Sequence, residues 1–125
     1  MRKQYHFWPA GTGFDAWDVD RLIELSRDLP VHVVAVESIG EIDSAYWFEG
    51  SAAAPTVRTV VEHARLMLAA DLSYPVILGP DGRVMDGMHR IARALLDEVG
   101  EVSAVRFASL PAADYHGIQP DQLPY

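Results

Sequence analysis

The chain has 125 residues, of which half are hydrophobic and 22% are charged, and its formal net charge is −8 at pH 7. This length and composition indicate one globular domain with one hydrophobic core. The acidic balance disfavours nucleic acid as a partner, because affinity for a phosphate backbone depends on clustered Lys and Arg side chains. The absence of cysteine excludes disulfides, thiolate nucleophiles and Cys-based metal centres.

No apolar run approaches the roughly 20 residues that a membrane-spanning helix needs. The N-terminal stretch MRKQYHFWPAGTG lacks the apolar core and the small-residue cleavage site of a secretory signal. We therefore expect a cytoplasmic protein that has no membrane partner.

The first predicted element is a helix over residues 16–28, because an Asp N-cap and an acidic first turn precede apolar residues at helical spacing. The β-branched run over residues 31–37 predicts a buried strand. Residues 43–54 have no clean period, so we expect a loop or a short edge segment there.

A long amphipathic helix is predicted over residues 55–70, because Pro55 suits the first helical turn and apolar side chains fall on one stripe. Two short strands, residues 76–78 and 84–85, flank the sequence Gly-Pro-Asp-Gly, which is typical of a tight hairpin turn. A third helical pattern begins at Ile91 and runs to Gly100. A last strand is predicted over residues 102–107.

This order of elements predicts a mixed α/β (α+β) domain in which a small mixed sheet packs with helices. We divide the chain into an N-terminal helical extension (residues 1–30), a main domain (31–108) and a C-terminal tail (109–125). The tail is rich in proline and is expected to pack on the domain or on a partner.

The sequence Asp86-Gly87-Met88-His89-Arg90 lies between a predicted strand and a predicted helix. The first N–H groups of such a helix have no intrahelical acceptor, and the helix dipole adds partial positive charge. Glycine allows close approach to a ligand, while His89 and Arg90 can add donors to phosphate oxygens. The turn therefore predicts an anion site, although a simple alternative is an Asp86 cap with His89 and Arg90 in solvent.

Residues 30–108 resemble the N-terminal nucleotide-binding domain of the ParB and sulfiredoxin superfamily. The resemblance lies in VHVVAVESI, PTVRTVVEHARLMLAA, PVILGPDGRVMDGMHRIARALLDE and VSAVRF, in that order. It implies the ParB/sulfiredoxin-like fold and a nucleoside di- or triphosphate, ATP or ADP, as cofactor. The Gly-x-x-Arg turn of the superfamily binds nucleotide phosphates, and it corresponds here to Gly87, Met88, His89 and Arg90.

Two departures from the superfamily narrow the expected activity. Sulfiredoxins carry a catalytic cysteine where this chain has Met88, and a thioether cannot be the nucleophile in their phosphoryl transfer. The Gly-Glu-Arg-Arg turn and the following helix-turn-helix domain of DNA-sliding partition proteins do not match this chain either.

The turn is most similar to the Asp-Gly-His-His-Arg sequence of the superfamily's small-molecule kinases, which phosphorylate free serine. The resemblance implies a phosphotransferase or NTPase, with His89 in the catalytic set and an acid after the first strand as base on a substrate hydroxyl. Glu37, Glu41 and Asp43 are candidates for that base, and Glu41 is our choice. The competing interpretation is that these acids form a solvated loop face.

Two further residues are candidates for ligand contact. Asp86 can bind Mg²⁺ or a substrate amine, or simply cap the helix. Arg58 is near the N-terminus of the long helix, where a bound anion would compensate its misplaced charge.

The alternative to nucleotide chemistry is a non-catalytic interaction or regulatory module on the same fold. Such a module would work through the acidic surface, the Tyr46-Trp47-Phe48 segment and the C-terminal tail, with a homodimer or another protein as partner. The three aromatics can equally well stack on a base or belong to the core.

Overall fold

The computed structural model describes residues 3–49 and 55–125, which form three α-helices and seven strands in two sheets. The strands are β1 (Tyr5–Ala10), β2 (Gly13–Asp18), β3 (His32–Ala35), β4 (Val76–Leu78), β5 (Val84–Asp86), β6 (Glu101–Arg106) and β7 (Tyr115–Ile118). The helices are α1 (Val19–Ser26), α2 (Val57–Leu68) and α3 (Met88–Leu96). The predicted mixed α+β class is confirmed.

The main sheet has four strands in the order β3-β6-β4-β5. Strands β4 and β6 are parallel, while the β3–β6 and β4–β5 pairs are antiparallel, so the sheet is mixed as predicted. The hairpin around residues 79–82 and the last strand of the main domain are also confirmed, each within a residue or two of its predicted bounds.

Strands β4, β5 and β6 are covered on both faces of this sheet, because their alternate side chains belong to different clusters. One face packs against α3 and the 3₁₀ turn Val36–Ser38, with Val76, Leu78 and Val84 in its core. The other face buries Ile77, Met85, Val105 and Phe107 against Trp17 and Leu22 from the N-terminal region.

The N-terminal region is not simply the helical extension predicted for residues 1–30. Strands β1 and β2 form an antiparallel hairpin, and α1 starts at Val19 with Asp18 as its N-cap, three residues later than predicted. The C-terminal tail contributes β7, which pairs with β2 and completes a three-stranded sheet. Residues from both ends of the chain therefore cover the second face of the main sheet, a pairing between distant segments that no local pattern reveals.

The strand predicted over residues 31–37 is present as β3, but the prediction that it is buried was wrong. Strand β3 lies at the edge of the main sheet, and Val33 is 59% exposed. A β-branched run indicates strand propensity, but it does not show whether the sheet continues on both sides. Of the predicted loop, residues 43–49 form turns, and residues 50–54 lie outside the described residues.

Helix α2 forms where the sequence predicts it, but its apolar stripe does not enter the core. Val57 is 84% exposed and Leu68 is 59% exposed, and no residue of α2 is buried. The helix packs against α3 rather than against a sheet. The longest described helix, α2, has 12 residues, well below the roughly 20 that cross a bilayer.

Packing of α1 on the sheet can be tested with two leucines of that helix. Leu22 is fully buried, whereas Leu25 is 45% exposed. We expect Leu22→Ala to lower the free energy of unfolding by about 2–5 kcal/mol, because it leaves a cavity. The matched Leu25→Ala change should cost less than about 0.5 kcal/mol. Urea denaturation measures both, and equal losses would contradict the observed orientation of α1.

Candidate functional site

A single residue, Gly87, connects β5 to α3. Its φ of 111° lies in the left-handed region, and an added Cβ would be only 2.7 Å from Cγ1 of Val76. Glycine is therefore required here by both the backbone conformation and the available space. The connection places the N-terminus of α3 directly at the end of β5.

The first amides of α3 have no side-chain cap among the described residues. The carbonyl of Gly87 accepts the N–H groups of Arg90 and Ile91 at 3.0 and 3.1 Å, which leaves the N–H groups of Met88 and His89 as the orphan donors of the first turn. The side chain of Met88 is buried in the core cluster beneath α3. Its predicted ligand contact can therefore come only from the backbone.

The guanidinium of Arg90 is held by acceptors of the protein itself. Its Nη1 donates to the carbonyl oxygens of Tyr74 and Pro75 at 3.2 and 2.8 Å, and its Nη2 donates to Oδ2 of Asp86 at 2.8 Å. The guanidinium thus ties the start of β4 to the end of β5. The predicted phosphate contact of Arg90 is replaced by these three protein acceptors, an outcome that sequence spacing alone does not reveal.

Asp86 is the ion-pair partner of Arg90, with its side chain only 16% exposed. Burial raises the pKa of Asp86, and the Arg90 charge opposes that shift. The cap predicted as an alternative for Asp86 is not formed. Within residues 3–49 and 55–125, no group of three His, Asp or Glu side chains is placed to hold a metal ion. Mg²⁺ binding by Asp86 stays a prediction.

His89 belongs to an aromatic cluster that the sequence did not predict. Its Nε2 lies 2.9 Å from Nδ1 of His63, a hydrogen bond between α3 and α2. The indole of Trp47 is stacked on both imidazoles, with ring centroids 4.4 Å from His63 and 4.6 Å from His89. Trp47 is thus neither fully in the core nor free for a partner, because it covers this histidine pair.

Both imidazoles of the pair are neutral near pH 7. Burial, together with the neighbouring His63 and Arg90, lowers the pKa of His89 to about 4. Burial also lowers the pKa of His63. In a neutral pair one ring nitrogen donates and the other accepts, so the hydrogen bond to His63 restricts which tautomer His89 can adopt.

Glu41 lies beside β5, which is an edge strand of the main sheet. Its Oε1 accepts the N–H of Val84 at 2.7 Å, and the Tyr46 hydroxyl donates to the carbonyl of the same residue at 3.4 Å. Burial raises the pKa of the Glu41 carboxyl. The solvated-face interpretation is therefore wrong for Glu41, whereas the other candidate bases, Glu37 and Asp43, are exposed.

These groups face a cleft of about 1130 Å³. The N-terminal hairpin, the segment from Ser38 to Glu49 and the junction of β5 with α3 provide its three sides. Gly87, Met88, His89 and Glu41 line this cleft. Gly87 and His89 also line a second cavity, of about 420 Å³, and Arg90 is among the described residues that line that cavity but not the cleft. Arg58 is exposed and is not among the described residues that line the cleft.

The cleft carries charges of both signs. The cations among its lining residues are Lys3, Arg83 and Arg106, and the acids are Glu41, Glu49, Asp81 and Asp86. Comparison with family models, with curated proteins and with solved structures finds no match for this chain. The resemblance to the ParB and sulfiredoxin superfamily therefore stays a prediction.

The Arg90 contacts predict that this residue is needed for stability. Arg90→Ala removes three hydrogen bonds and leaves the Asp86 carboxylate without its partner, so we expect a loss of about 3 kcal/mol. Arg27→Ala is the control, because its pair with Glu24 is about two-thirds exposed on both sides and should contribute less than about 1 kcal/mol. Denaturant midpoints measure both, and a stable Arg90→Ala protein would show that the contacts contribute little.

The His89 environment predicts a specific pH dependence. The pKa of His89 is about 4 in the folded protein, against 6.5 for an unperturbed imidazole, so the unfolded chain binds the proton more readily. His89 therefore contributes to the free energy of unfolding above about pH 6.5, and this contribution is lost as the pH falls toward 4. We expect His89→Asn to reduce the stability difference between pH 7.5 and pH 5, whereas replacing the exposed His32 by Asn should preserve it. Identical pH profiles for wild type and His89→Asn would contradict this assignment.

Proposed function

We propose that this protein binds a nucleoside di- or triphosphate, with the phosphates at the uncapped N-terminus of α3. The observation that carries the proposal is that Met88 and His89, whose N–H groups have no acceptor among the described residues, line a cleft large enough for a nucleotide. A helix N-terminus with free N–H groups and a positive dipole end favours phosphate. The cytoplasm, where nucleotides are abundant, is the compartment in which this function would operate.

Two aspects of the site support a small phosphorylated ligand rather than a nucleic acid. The chain is acidic overall, and the acids in the cleft would repel an extended phosphate backbone. The same acids can share a divalent cation with a short phosphate group, because Mg²⁺ is usually held by one or two carboxylates together with phosphates. Asp86 is the residue that would hold it, by sharing between the cation and Arg90 the carboxylate that now pairs with Arg90.

The proposal extends to phosphoryl transfer or nucleotide hydrolysis through Glu41. Burial raises the pKa of this carboxyl, which brings it closer to the range in which a general base works well. Its attachment to the Val84 amide fixes one carboxylate oxygen. In this role Glu41 would take the proton from an acceptor hydroxyl or from water, and His89, held neutral, would contact the phosphates as a hydrogen-bonding group.

Phosphate binding at α3 can be tested by placing a negative charge in the first helical turn. Both His89→Asp and His89→Asn remove the imidazole from the Trp47 stack, so their difference isolates the charge. We expect ATP and ADP to raise the melting temperature of wild-type protein, and His89→Asp to bind at least about tenfold more weakly than His89→Asn because the carboxylate repels phosphate. Calorimetric titration measures the affinities. Equal affinities of the two variants would show that the phosphates do not bind at the N-terminus of α3.

A catalytic role for Glu41 is tested by Glu41→Gln, which keeps an oxygen to accept the Val84 amide. We expect nucleotide affinity within about threefold of wild type, and ADP release from ATP lowered by about 10²-fold or more, the usual contribution of a general base. Unchanged ADP release would show that Glu41 only supports the edge of β5.

A second candidate function is favoured by the exposed apolar face of α2. Its members are Val57, Val60, Val61 and Leu68, which share one side of the helix and are all more than 40% exposed. Contiguous exposed apolar residues are typical of protein-interaction surfaces, so α2 is a better candidate for the interaction module than Tyr46, Trp47 or the C-terminal tail. An interaction function is supported if no nucleotide at millimolar concentration changes the melting temperature of the protein.

A further inference from the structure

A smaller cavity, of about 240 Å³, lies beside the cleft and between the two sheets. Its walls are mostly apolar or aromatic: Trp8 from β1, Trp17 from β2, Met85 from β5, and Pro80 and Leu110 from the connecting segments. Its lining is shared with the cleft at His6, Trp8, Asp81, Arg83 and Met85. The cavity is therefore a side chamber of the cleft, separate from the α3 amides.

Strand β1 directs two ring side chains to this chamber. His6 and Trp8 are two residues apart, so they lie on the same face of the strand, and both line the chamber together with Met85 of the main sheet. Trp8 is 41% exposed, an unusual amount for a tryptophan that lines an apolar cavity. The Arg83 guanidinium lies over its ring, 4.4 Å from the centroid. The Trp8 ring thus already makes a cation–π contact with a residue that lines the same chamber.

His6 adds a polar group to the chamber. Its ring lies 5.6 Å from the ring of Trp17, and no hydrogen-bond partner for its nitrogens is found in the described part of the chain. Those nitrogens are not sealed from solvent, since no buried polar side-chain atom of the described residues is left unsatisfied. Burial lowers the pKa of His6 to about 4, so the neutral ring offers one donor and one acceptor nitrogen.

We propose that this chamber binds the planar nitrogen heterocycle of a nucleobase, stacked against Trp8 and hydrogen-bonded to His6. The inference rests on the proposed function, because it names the part of a nucleotide that would occupy this place. An aliphatic group would leave the His6 nitrogens unused, and a charged group would lose its hydration against apolar walls. A heteroaromatic ring satisfies both constraints, and base–aromatic stacking is tolerant of base identity.

The chamber and the proposed phosphate site are connected through the cleft. Trp8 and Met85 of the chamber line the cleft, and so do Gly87 and His89 at the start of α3. Met85 lies on the face of the main sheet that packs against the N-terminal region, whereas α3 packs on the other face. A nucleotide that occupies both places would therefore pass around the edge strand β5.

The experiment titrates adenosine, pyrophosphate and ATP into wild-type protein and into two variants. Trp8→Leu keeps an apolar side chain but removes the ring, and His6→Phe keeps a ring but removes both nitrogens. We expect each variant to bind adenosine and ATP at least about fivefold more weakly than wild type, with pyrophosphate affinity unchanged. Tyr74→Leu is the control, because Tyr74 is an exposed aromatic outside the chamber and should change none of the three affinities.

The three ligands separate failure of this inference from failure of the proposed function. Binding of pyrophosphate without adenosine, or unchanged adenosine affinity in both variants, would overturn the base chamber and leave the phosphate site intact. Binding of adenosine without pyrophosphate would overturn the phosphate site and support the chamber. Absence of binding by all three ligands would overturn both. Circular dichroism of each variant shows whether a loss of affinity follows from a loss of structure.

Discussion

The close packing of Gly87 against Val76 is the constraint on which the site depends. A side chain at position 87 would overlap Val76, and the left-handed backbone there lets the chain pass from β5 into α3 within one residue. The amides of the first turn therefore lie at the end of the strand, beside the cleft. Because α3 begins directly after Gly87, Arg90 in its first turn lies within reach of Asp86. A longer connection would separate these features.

The Asp86–Arg90 pair resolves an electrostatic difficulty of this helix start. A cation in the first turn is unfavourable next to the positive end of the helix dipole, and here a carboxylate and two backbone carbonyls compensate the guanidinium. The contacts also hold β4 and β5 at a fixed separation. Arg90 thus stabilises the junction, while Gly87, Met88 and His89 line the cleft. Stability and ligand contact are divided between neighbouring residues of one turn.

The ends of the chain give the cleft its outer wall. The hairpin of β1 and β2 covers the second face of the main sheet, and pairing with β7 holds the hairpin in place. Both segments lie outside residues 30–108, the part of the sequence for which we predict a resemblance to the ParB and sulfiredoxin superfamily. The side chamber at His6 and Trp8 is therefore built by residues that this resemblance does not cover, and it has to be argued from the structure alone.

Local pattern determined much of this protein: the hairpin turn of β4 and β5, the start of α3, the final strand and the mixed class all follow from short-range periodicity and turn chemistry. The end of α3 does not, because the pattern runs to Gly100 whereas the helix ends at Leu96. Local pattern also located Gly87 as the critical residue of the site. Only the tertiary structure decided that Arg90 binds Asp86, that His89 binds His63 under Trp47, and that the two ends of the chain form a second sheet. These features join residues that are distant in sequence or depend on the direction of a side chain. Periodicity describes which face a residue occupies, but not which group it meets there.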